Sequence, residues 1–267
     1  MKLAVSNLAW QMGEEAAAAK LLSDLGVRYI ELAPTRQWPD LSQAPSREIA
    51  ETRQFWADHG FEVVALQAIL FGQPDLKVFA DDATRARTLD YLDHTYHLAA
   101  GLGAKVLVFG SPKNRLRGEL SPERAMDAAA TFFAEAGRRA AAAGVVLCIE
   151  PNAPQYGCDF VTTAAEGQAL VDRVNSPGFA LHLDTGCMTM AGDPAENVSQ
   201  YPPRHFHISA PNLGPVVEGA AAYDDFARQL RQVHYQNFVS IEMKPEATGN
   251  LERVEQAVKL SQTVFST

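Results

Sequence analysis

The sequence predicts a single (β/α)₈ barrel, a TIM barrel of class α/β, that spans residues 1–267. Short apolar segments alternate with longer, alanine-rich helical segments along the whole chain, which is the order of βα units around a parallel sheet. Several helical segments end in a glycine just before the next strand, as in SDLGVRYIE and AGLGAKVLV, because glycine readily adopts the left-handed conformation that ends a helix. The length of 267 residues is close to the roughly 250 that one such barrel requires.

Eight strands are expected, each a short run of mostly apolar residues. They are predicted at 3–6, 28–32, 62–67, 105–109, 145–150, 180–184, 205–209 and 238–242. An open, doubly wound sheet shares this alternation, but it often carries a glycine-rich phosphate-binding turn after its first strand. Here the first strand leads into Ser6-Asn7-Leu8-Ala9-Trp10, so the barrel is favoured.

Helices are expected between the strands, and their start signals agree with the stop signals. They are predicted at 14–25, 46–59, 82–102, 122–143, 163–174, 222–234 and 251–265, with a weaker candidate at 194–201. Ser121 supplies a capping hydroxyl before Pro122 at a first helical position. Thr163 precedes a helical run that has Glu166 three residues later, which is a capping-box pattern.

The composition narrows the classes of ligand. A net charge of −9 and a pI near 5.3 disfavour nucleic acid and anionic membranes as partners, and favour a small polar molecule. Three cysteines without CxxC spacing indicate neither a zinc ribbon nor a disulfide framework, so a reducing compartment is expected. No apolar run has the length of a signal peptide or of a membrane span of roughly 18 residues, which predicts a cytoplasmic protein.

Four of the later strands end on a side chain that can bind a metal, namely Glu150, Asp184, His207 and Glu242. The ends of parallel barrel strands meet on one rim, and a carboxylate after a buried strand needs a partner or a metal. Three carboxylates and one imidazole suit Mn²⁺, Mg²⁺ or Co²⁺, and Zn²⁺ less exclusively. Each carboxylate alone could instead cap a helix or form a salt bridge. His205 lies two residues, about 6.6 Å, deeper and is expected to be an interior residue.

Four motifs carry a resemblance to a known family: Ile149-Glu150-Pro151, Leu183-Asp184-Thr185-Gly186, the HxHxS pattern around His207, and Ser240-Ile241-Glu242. With them the chain resembles the xylose isomerase-like TIM barrels, in particular the sugar phosphate isomerase/epimerase group with its ketose 3-epimerases and hydroxypyruvate isomerase.

The resemblance implies a metal-dependent isomerase or epimerase of a sugar, keto-sugar or small hydroxy-ketone. Glu150 and Glu242 would bind the metal and also transfer the substrate proton through a metal-stabilised enediolate. Asp184 and His207 would act as metal ligands only. Related barrels often form dimers or tetramers, so a homo-oligomer is part of the same expectation.

Two positions depart from the family pattern. Cys187 stands where relatives often have a histidine that touches the substrate, and Tyr156 stands where ketose 3-epimerases usually have an acidic substrate contact. These departures leave the particular substrate open. Cys187 is either a substrate contact or a small loop residue.

Further candidate substrate contacts lie near the ends of other strands: Trp10, Glu31, Gln67, Lys113, Arg115 and Lys244. Trp10 could stack on a sugar or pack the barrel mouth. Lys113 and Arg115 could bind a carboxylate or phosphate, or form a solvated loop, and Lys244 could neutralise substrate charge. Glu31 and Gln67 could contact hydroxyls or brace the loops.

Other functions use the same site or a related one. A sugar or inositol dehydratase begins with the same proton removal and then loses a β-hydroxyl group, and a barrel that only binds a sugar needs no chemistry at all. The apurinic-site endonucleases of the superfamily use a trinuclear zinc centre with additional histidines. This chain has Gln67 and Cys187 at such positions and a net charge that opposes DNA, so that branch is disfavoured.

Overall fold

A computed structural model describes residues 1–265, and its strands close into one parallel barrel in chain order. The strands are β1 (Lys2–Ser6), β2 (Tyr29–Leu32), β3 (Glu62–Leu66), β4 (Val106–Phe109), β5 (Val146–Ile149), β6 (Phe179–Asp184), β7 (His205–Ile208) and β8 (Phe238–Ile241). Each lies within one residue of its predicted bounds. The (β/α)₈ fold is therefore confirmed, while residues 266 and 267 of the predicted 1–267 domain lie outside the described residues.

The helices surround the barrel and match the predicted segments, with one addition. They are α1 (Glu15–Asp24), α2 (Ser46–Asp58), α3 (Asp82–Leu102), α4 (Pro122–Ala142), α5 (Ala164–Val174), α6 (Thr185–Ala191), α7 (Asn197–Gln200), α8 (Tyr223–Gln232) and α9 (Asn250–Phe265). The weak candidate at 194–201 shrinks to the four residues of α7. Helix α6 was not predicted, and it begins directly at the end of β6.

Two apolar regions hold the barrel together. The larger one lies between the strands and the surrounding helices. A smaller cluster of small inward-facing side chains fills the lower part of the barrel, and it consists of Ala4, Val64, Ala65, Val106 and Cys148. Side chains alternate along a strand, so the next inward positions lie at the C-terminal ends, where barrel active sites are built.

Hydrogen bonds tie the loops at the C-terminal end to one another. The side-chain amide of Asn114, after β4, donates to the carbonyls of Gln73 and Leu76 after β3, at 2.7 and 2.6 Å. The backbone N–H of Asn212, after β7, donates to the Tyr156 hydroxyl after β5, at 2.8 Å. These bonds fix the walls above the strand ends. Within residues 1–265, no helix combines the length and apolarity needed to cross a membrane.

Candidate active site

The four predicted rim residues lie together at the C-terminal ends of β5 to β8. Asp184 pairs in register with His207, and Glu150 and Glu242 directly follow β5 and β8. Asp184, His207 and Glu242 offer ligand atoms that all lie within 4.8 Å of one another. Glu150 and Asp184 form a second group of the same size with Cys187, so Asp184 belongs to both. The geometry thus joins the four residues, and their role as metal ligands stays a prediction.

Glu31 fixes the orientation of the His207 ring. Nε2 of His207 lies 3.0 and 3.1 Å from the two carboxylate oxygens of Glu31, which is fully buried. The same carboxylate is bonded to Nε2 of His205 at 3.1 Å, so His205 is the interior residue that the sequence predicted. The pairing of β2 with β3 shifts register here, because Ile30 pairs with Val63 but Glu31 pairs with Ala65, which leaves Val64 of β3 as the extra residue. Glu31 therefore supports a histidine and does not face the cavity.

The other ring nitrogen of His207 points toward the remaining rim residues. Nδ1 lies 3.2 Å from Oε2 of Glu242 but lacks the alignment of a hydrogen bond. Below it, the fully buried His182 packs its ring 4.2 Å from that of His207 and places Nε2 3.9 Å from Oε1 of Glu150. His182 and His205, which pair in register, thus lie one layer beneath Asp184 and His207.

Burial and crowding shift the pKa values of the carboxyl groups. Burial, followed by the nearby Asp184 and Glu242, raises the pKa of Glu150 to about 8. The pKa of Asp184 is also raised, first by burial and then by Glu242. Burial alone would raise the pKa of Glu31, but His207 and His205 outweigh it and hold that pKa well below its usual value. Burial and mutual repulsion therefore disfavour the simultaneous ionisation of Glu150 and Asp184 when no cation is bound.

The donor atoms fit a divalent cation. Oδ2 of Asp184 and Nδ1 of His207 are buried and have no hydrogen-bond partner among residues 1–265, and a buried polar atom without a partner is costly. A cation bound between them would satisfy both atoms and offset the crowded carboxylates. A carboxylate on the far nitrogen of a metal-binding histidine, as Glu31 is to His207, is the usual supporting arrangement.

Cys187 lies in the first turn of α6 and contacts two rim residues. Its backbone N–H donates to Oδ1 of Asp184 at 2.6 Å, so Asp184 caps the helix. Its thiol lies 3.8 Å from Oε1 of Glu150 and 3.6 Å from Nδ2 of Asn152. Burial, with Asp184 and Glu150 next, raises the pKa of this thiol well above its usual value. Cys187 is thus a neutral residue at the edge of the site.

Two glycines leave room for this arrangement, and neither role was predicted from the sequence. A Cβ at Gly110, directly after β4, would overlap Oε2 of Glu150. A Cβ at Gly186 would lie 2.7 Å from the carbonyl oxygen of Ala210 and would also overlap the Ser209 hydroxyl. The available signal was the position of each glycine within two residues of a strand end.

Arg115 has a structural role, which differs from both alternatives that the sequence left open, namely anion binding and a solvated loop. Its guanidinium is fully buried and donates to the carbonyls of Phe109, Glu150 and Phe160 at 3.1, 2.6 and 3.1 Å. It also donates to Oδ1 of Asn152 at 2.8 Å. Arg115 therefore fixes the backbone that carries Glu150, and its donors are directed at the protein.

A cavity of about 690 Å³ opens above the rim, with Glu150, His207 and Glu242 among its lining residues. Four predicted substrate contacts also line it: Gln67, Lys113, Cys187 and Lys244. Gln67 donates to the Ser6 hydroxyl at 2.9 Å, and its Oε1 has no partner in the described part of the chain. Trp10 does not line the cavity, because its ring is fully buried and packs 6.4 Å from that of Trp56. The expected stacking of Trp10 on a substrate is therefore replaced by packing below the barrel mouth.

The fold and this rim define a (β/α)₈ barrel with a candidate divalent-metal centre at its C-terminal end. The chain belongs to the xylose isomerase-like TIM-barrel family, whose pattern matches residues 19–263. This match confirms the resemblance based on the four sequence motifs. No curated protein matches the sequence significantly.

Several solved structures, two of them of sugar epimerases, share the fold. D-psicose 3-epimerase from Clostridium cellulolyticum H10, determined with D-tagatose, has 16% identity, full coverage of both chains and a TM-score of 0.82. The 3-keto-D-glucoside 4-epimerase from E. coli has 17% identity, coverage of 98% of this chain and 99% of its own, and a TM-score of 0.81. IOLI protein with a bound zinc atom has 20% identity, coverage of 100% and 98%, and a TM-score of 0.80. At these identities the likeness is one of fold.

Proposed function

We propose that the protein is a divalent-metal-dependent isomerase or epimerase of a sugar, keto-sugar or small hydroxy-ketone. The observation that carries this proposal is the rim of four residues, in which Asp184 lies close to the donor atoms of Glu150, His207 and Glu242, and the latter three line a cavity large enough for a sugar. The epimerase names of structural neighbours agree with it. Of the candidate metals, Mn²⁺, Mg²⁺ and Co²⁺ suit the oxygen-rich donor set best, and Zn²⁺ is compatible.

The two glutamates are proposed to move the proton. Isomerisation and epimerisation both remove a proton from the carbon beside a carbonyl and return it elsewhere or on the opposite face. A bound cation supplies positive charge that stabilises the oxygens of the resulting enediolate. Glu150 has its pKa raised to about 8, which is near the working range of a group that must both accept and release a proton.

The remaining residues are proposed to hold and select the substrate. Asp184 and His207 bind the cation without transferring protons. Gln67 offers its partnerless Oε1 to a hydroxyl, and Cys187 contacts the substrate beside Glu150. The ammonium groups of Lys113 and Lys244 have no partner within residues 1–265 and are placed to neutralise negative charge on a ligand. The free thiols agree with a reducing compartment such as the cytoplasm, and a dimer or tetramer is the proposed assembly.

Solvent-deuterium exchange tests the proposal. The purified protein is incubated in D₂O with a panel of ketoses and keto-glycosides, and NMR measures both deuterium incorporation and product formation. Incorporation with net isomerisation, abolished by a chelator and restored by Mn²⁺, is expected. The variants Glu150→Gln and Glu242→Gln should each lose turnover while still binding substrate.

Two results would contradict the proposal. Near wild-type turnover in either glutamine variant would exclude the two-carboxylate mechanism. Deuterium incorporation accompanied by loss of water would identify a dehydratase, since it shares only the first proton transfer. If no substrate in the panel exchanges a proton although the ligands bind, the barrel is a binding protein.

A further inference from the structure

The cavity above the rim is mostly apolar away from its floor. Glu150, His207 and Glu242 lie at the strand ends, on the floor of the cavity. Farther along the loops the lining includes six hydrophobic residues beside the charged Arg36, Lys113 and Lys244, and the hydrophobic ones are Leu8, Leu70, Phe71, Pro112, Leu213 and Pro245. A volume of about 690 Å³ lies within the roughly 300–1,000 Å³ of pockets that enclose a drug-sized ligand, so a lone ketose would fill only part of it.

Phe71 is the most exposed part of this apolar wall. Its side chain is 74% exposed, and among the large exposed hydrophobic residues within 1–265 it alone lines the cavity. A defined turn holds it there, because the N–H of Phe71 donates to the carbonyl of Ala68 at 3.0 Å. The Thr35 hydroxyl donates to the same carbonyl at 3.1 Å.

The turn that presents Phe71 also contains strained backbone. Ala68 has a φ of 52°, a left-handed conformation that costs a residue with a Cβ about 1–2 kcal/mol. Strain of this kind persists where surrounding contacts enforce it, and it often occurs beside ligands. The aromatic ring is thus held in water at the mouth of the cavity, where an apolar ligand group could cover it.

We infer that the substrate is a keto-sugar that carries an apolar, most simply aromatic, substituent. This inference rests on the proposed function and specifies its substrate class. The sugar would lie on the polar floor, and the substituent would pack against Phe71 and other hydrophobic lining residues such as Leu213 and Pro245. If the substituent is attached at the anomeric carbon, that carbon cannot be the carbonyl carbon. The ketone must then lie at another carbon of the sugar ring.

Binding of two glucosides tests the inference, with phenyl β-D-glucopyranoside and methyl β-D-glucopyranoside as unreactive probes. Titration calorimetry on the purified protein should give at least about tenfold tighter binding of the phenyl compound, because burial of its ring is favourable. Phe71→Ala should remove most of this preference and leave the methyl compound unaffected. Leu116→Ala is the matched control, because Leu116 is 42% exposed on the next loop but does not line the cavity.

Equal binding of the two glucosides, or a full preference retained by Phe71→Ala, would overturn the inference. A change of oligomeric state in Phe71→Ala without loss of preference would do the same, because it would show that a second copy of the chain covers the ring. One combination of results would refute the inference and leave the proposed function standing. In it, the protein exchanges deuterium into unsubstituted ketoses, Glu150→Gln loses this exchange, and the two glucosides bind equally. A phenyl preference without proton exchange on any keto-sugar would overturn both.

Discussion

Glu31 and His207 are joined across the barrel by contacts of 3.0 and 3.1 Å, from β2 to β7, although 176 residues separate them in the chain. The carboxylate of Glu31 contacts Nε2 of His207, so Nδ1 is directed at the rim. The two histidines outweigh the burial of Glu31 and keep its carboxylate ionised, so this carboxylate fixes the orientation of the His207 ring.

Glu31→Gln should weaken metal binding by about 10- to 100-fold, the usual effect of altering the outer partner of a metal-binding histidine. The amide keeps the size of the side chain but loses the charge that raises the basicity of His207. Titration with Mn²⁺, followed by calorimetry, measures the affinity. Glu62→Gln is the control, because Glu62 is an exposed carboxylate at the start of the neighbouring strand. An affinity within twofold of the wild type would show that Glu31 does not support the site.

The metal-free protein should lose stability as the pH rises toward 8. The pKa of Glu150 rises from its ordinary 4.5 to about 8 on folding, so the folded protein binds this proton more tightly than the unfolded chain. The resulting stabilisation is complete below the ordinary value and is lost as the pH passes through the folded value. Urea denaturation in the presence of a chelator measures the free energy of unfolding at each pH. In Glu150→Gln this free energy should depend less on pH.

Added Mn²⁺ should stabilise the protein more at about pH 8 than at about pH 6, because protons compete with the cation for the same carboxylates. The same denaturation series with and without Mn²⁺ provides the comparison. If Mn²⁺ raises the free energy of unfolding equally at both pH values, the cation does not compete with a proton for Glu150.

Gly110→Ala should reduce turnover by about 100-fold, because a displacement of roughly 1 Å in a catalytic group can have that effect. The new methyl group would overlap Oε2 of Glu150 and force the carboxylate aside. Rates of deuterium exchange measure the loss, and circular dichroism checks that the fold is intact. Gly214→Ala is a milder control, because the nearest atom to its Cβ is the Pro211 carbonyl oxygen at 3.3 Å. Unchanged exchange in Gly110→Ala would show that Glu150 does not need this position.

Arg115→Met should destabilise the protein by about 3 kcal/mol, since it leaves several buried carbonyls without donors. Lys113→Met, two residues away on the exposed surface of the same loop, should change the free energy of unfolding by less than about 0.5 kcal/mol. Urea denaturation of both variants gives the comparison. Equal stability of the two variants would show that the buried hydrogen bonds of Arg115 contribute little.

The strands and the rim could be predicted because local patterns determine them. Glycine stops and apolar runs located each strand to within a residue, and parallel strands necessarily bring Glu150 and Glu242 to the same end. Trp10 could not be placed in the same way, because its surroundings depend on where α2 packs and not on its own neighbours in the chain. The role of Glu31 could not be predicted either, because its partners His205 and His207 come from β7 on the far side of the barrel.

Helix α6 shows the opposite case, in which the signals were present but weak. Asp184 is an N-cap residue and Gly192 a left-handed C-cap, yet only seven residues lie between them. So short a helix has no apolar period to detect, and a helix of this length depends on tertiary contacts for its stability. Those contacts come from the loop after β7, including the Ser209 hydroxyl that accepts from the N–H of Gly186 at 3.1 Å.

Asp184 divides its two oxygens between two tasks: Oδ1 caps α6, and Oδ2 faces the rim. The carboxylate cannot rotate away from the rim without freeing the N–H of Cys187 inside the protein. Loss of a cation would therefore leave this ligand in place, and an arriving ion would meet a coordination site that folding has already assembled. Exchange of one metal for another should consequently proceed without rearrangement of the backbone around β6.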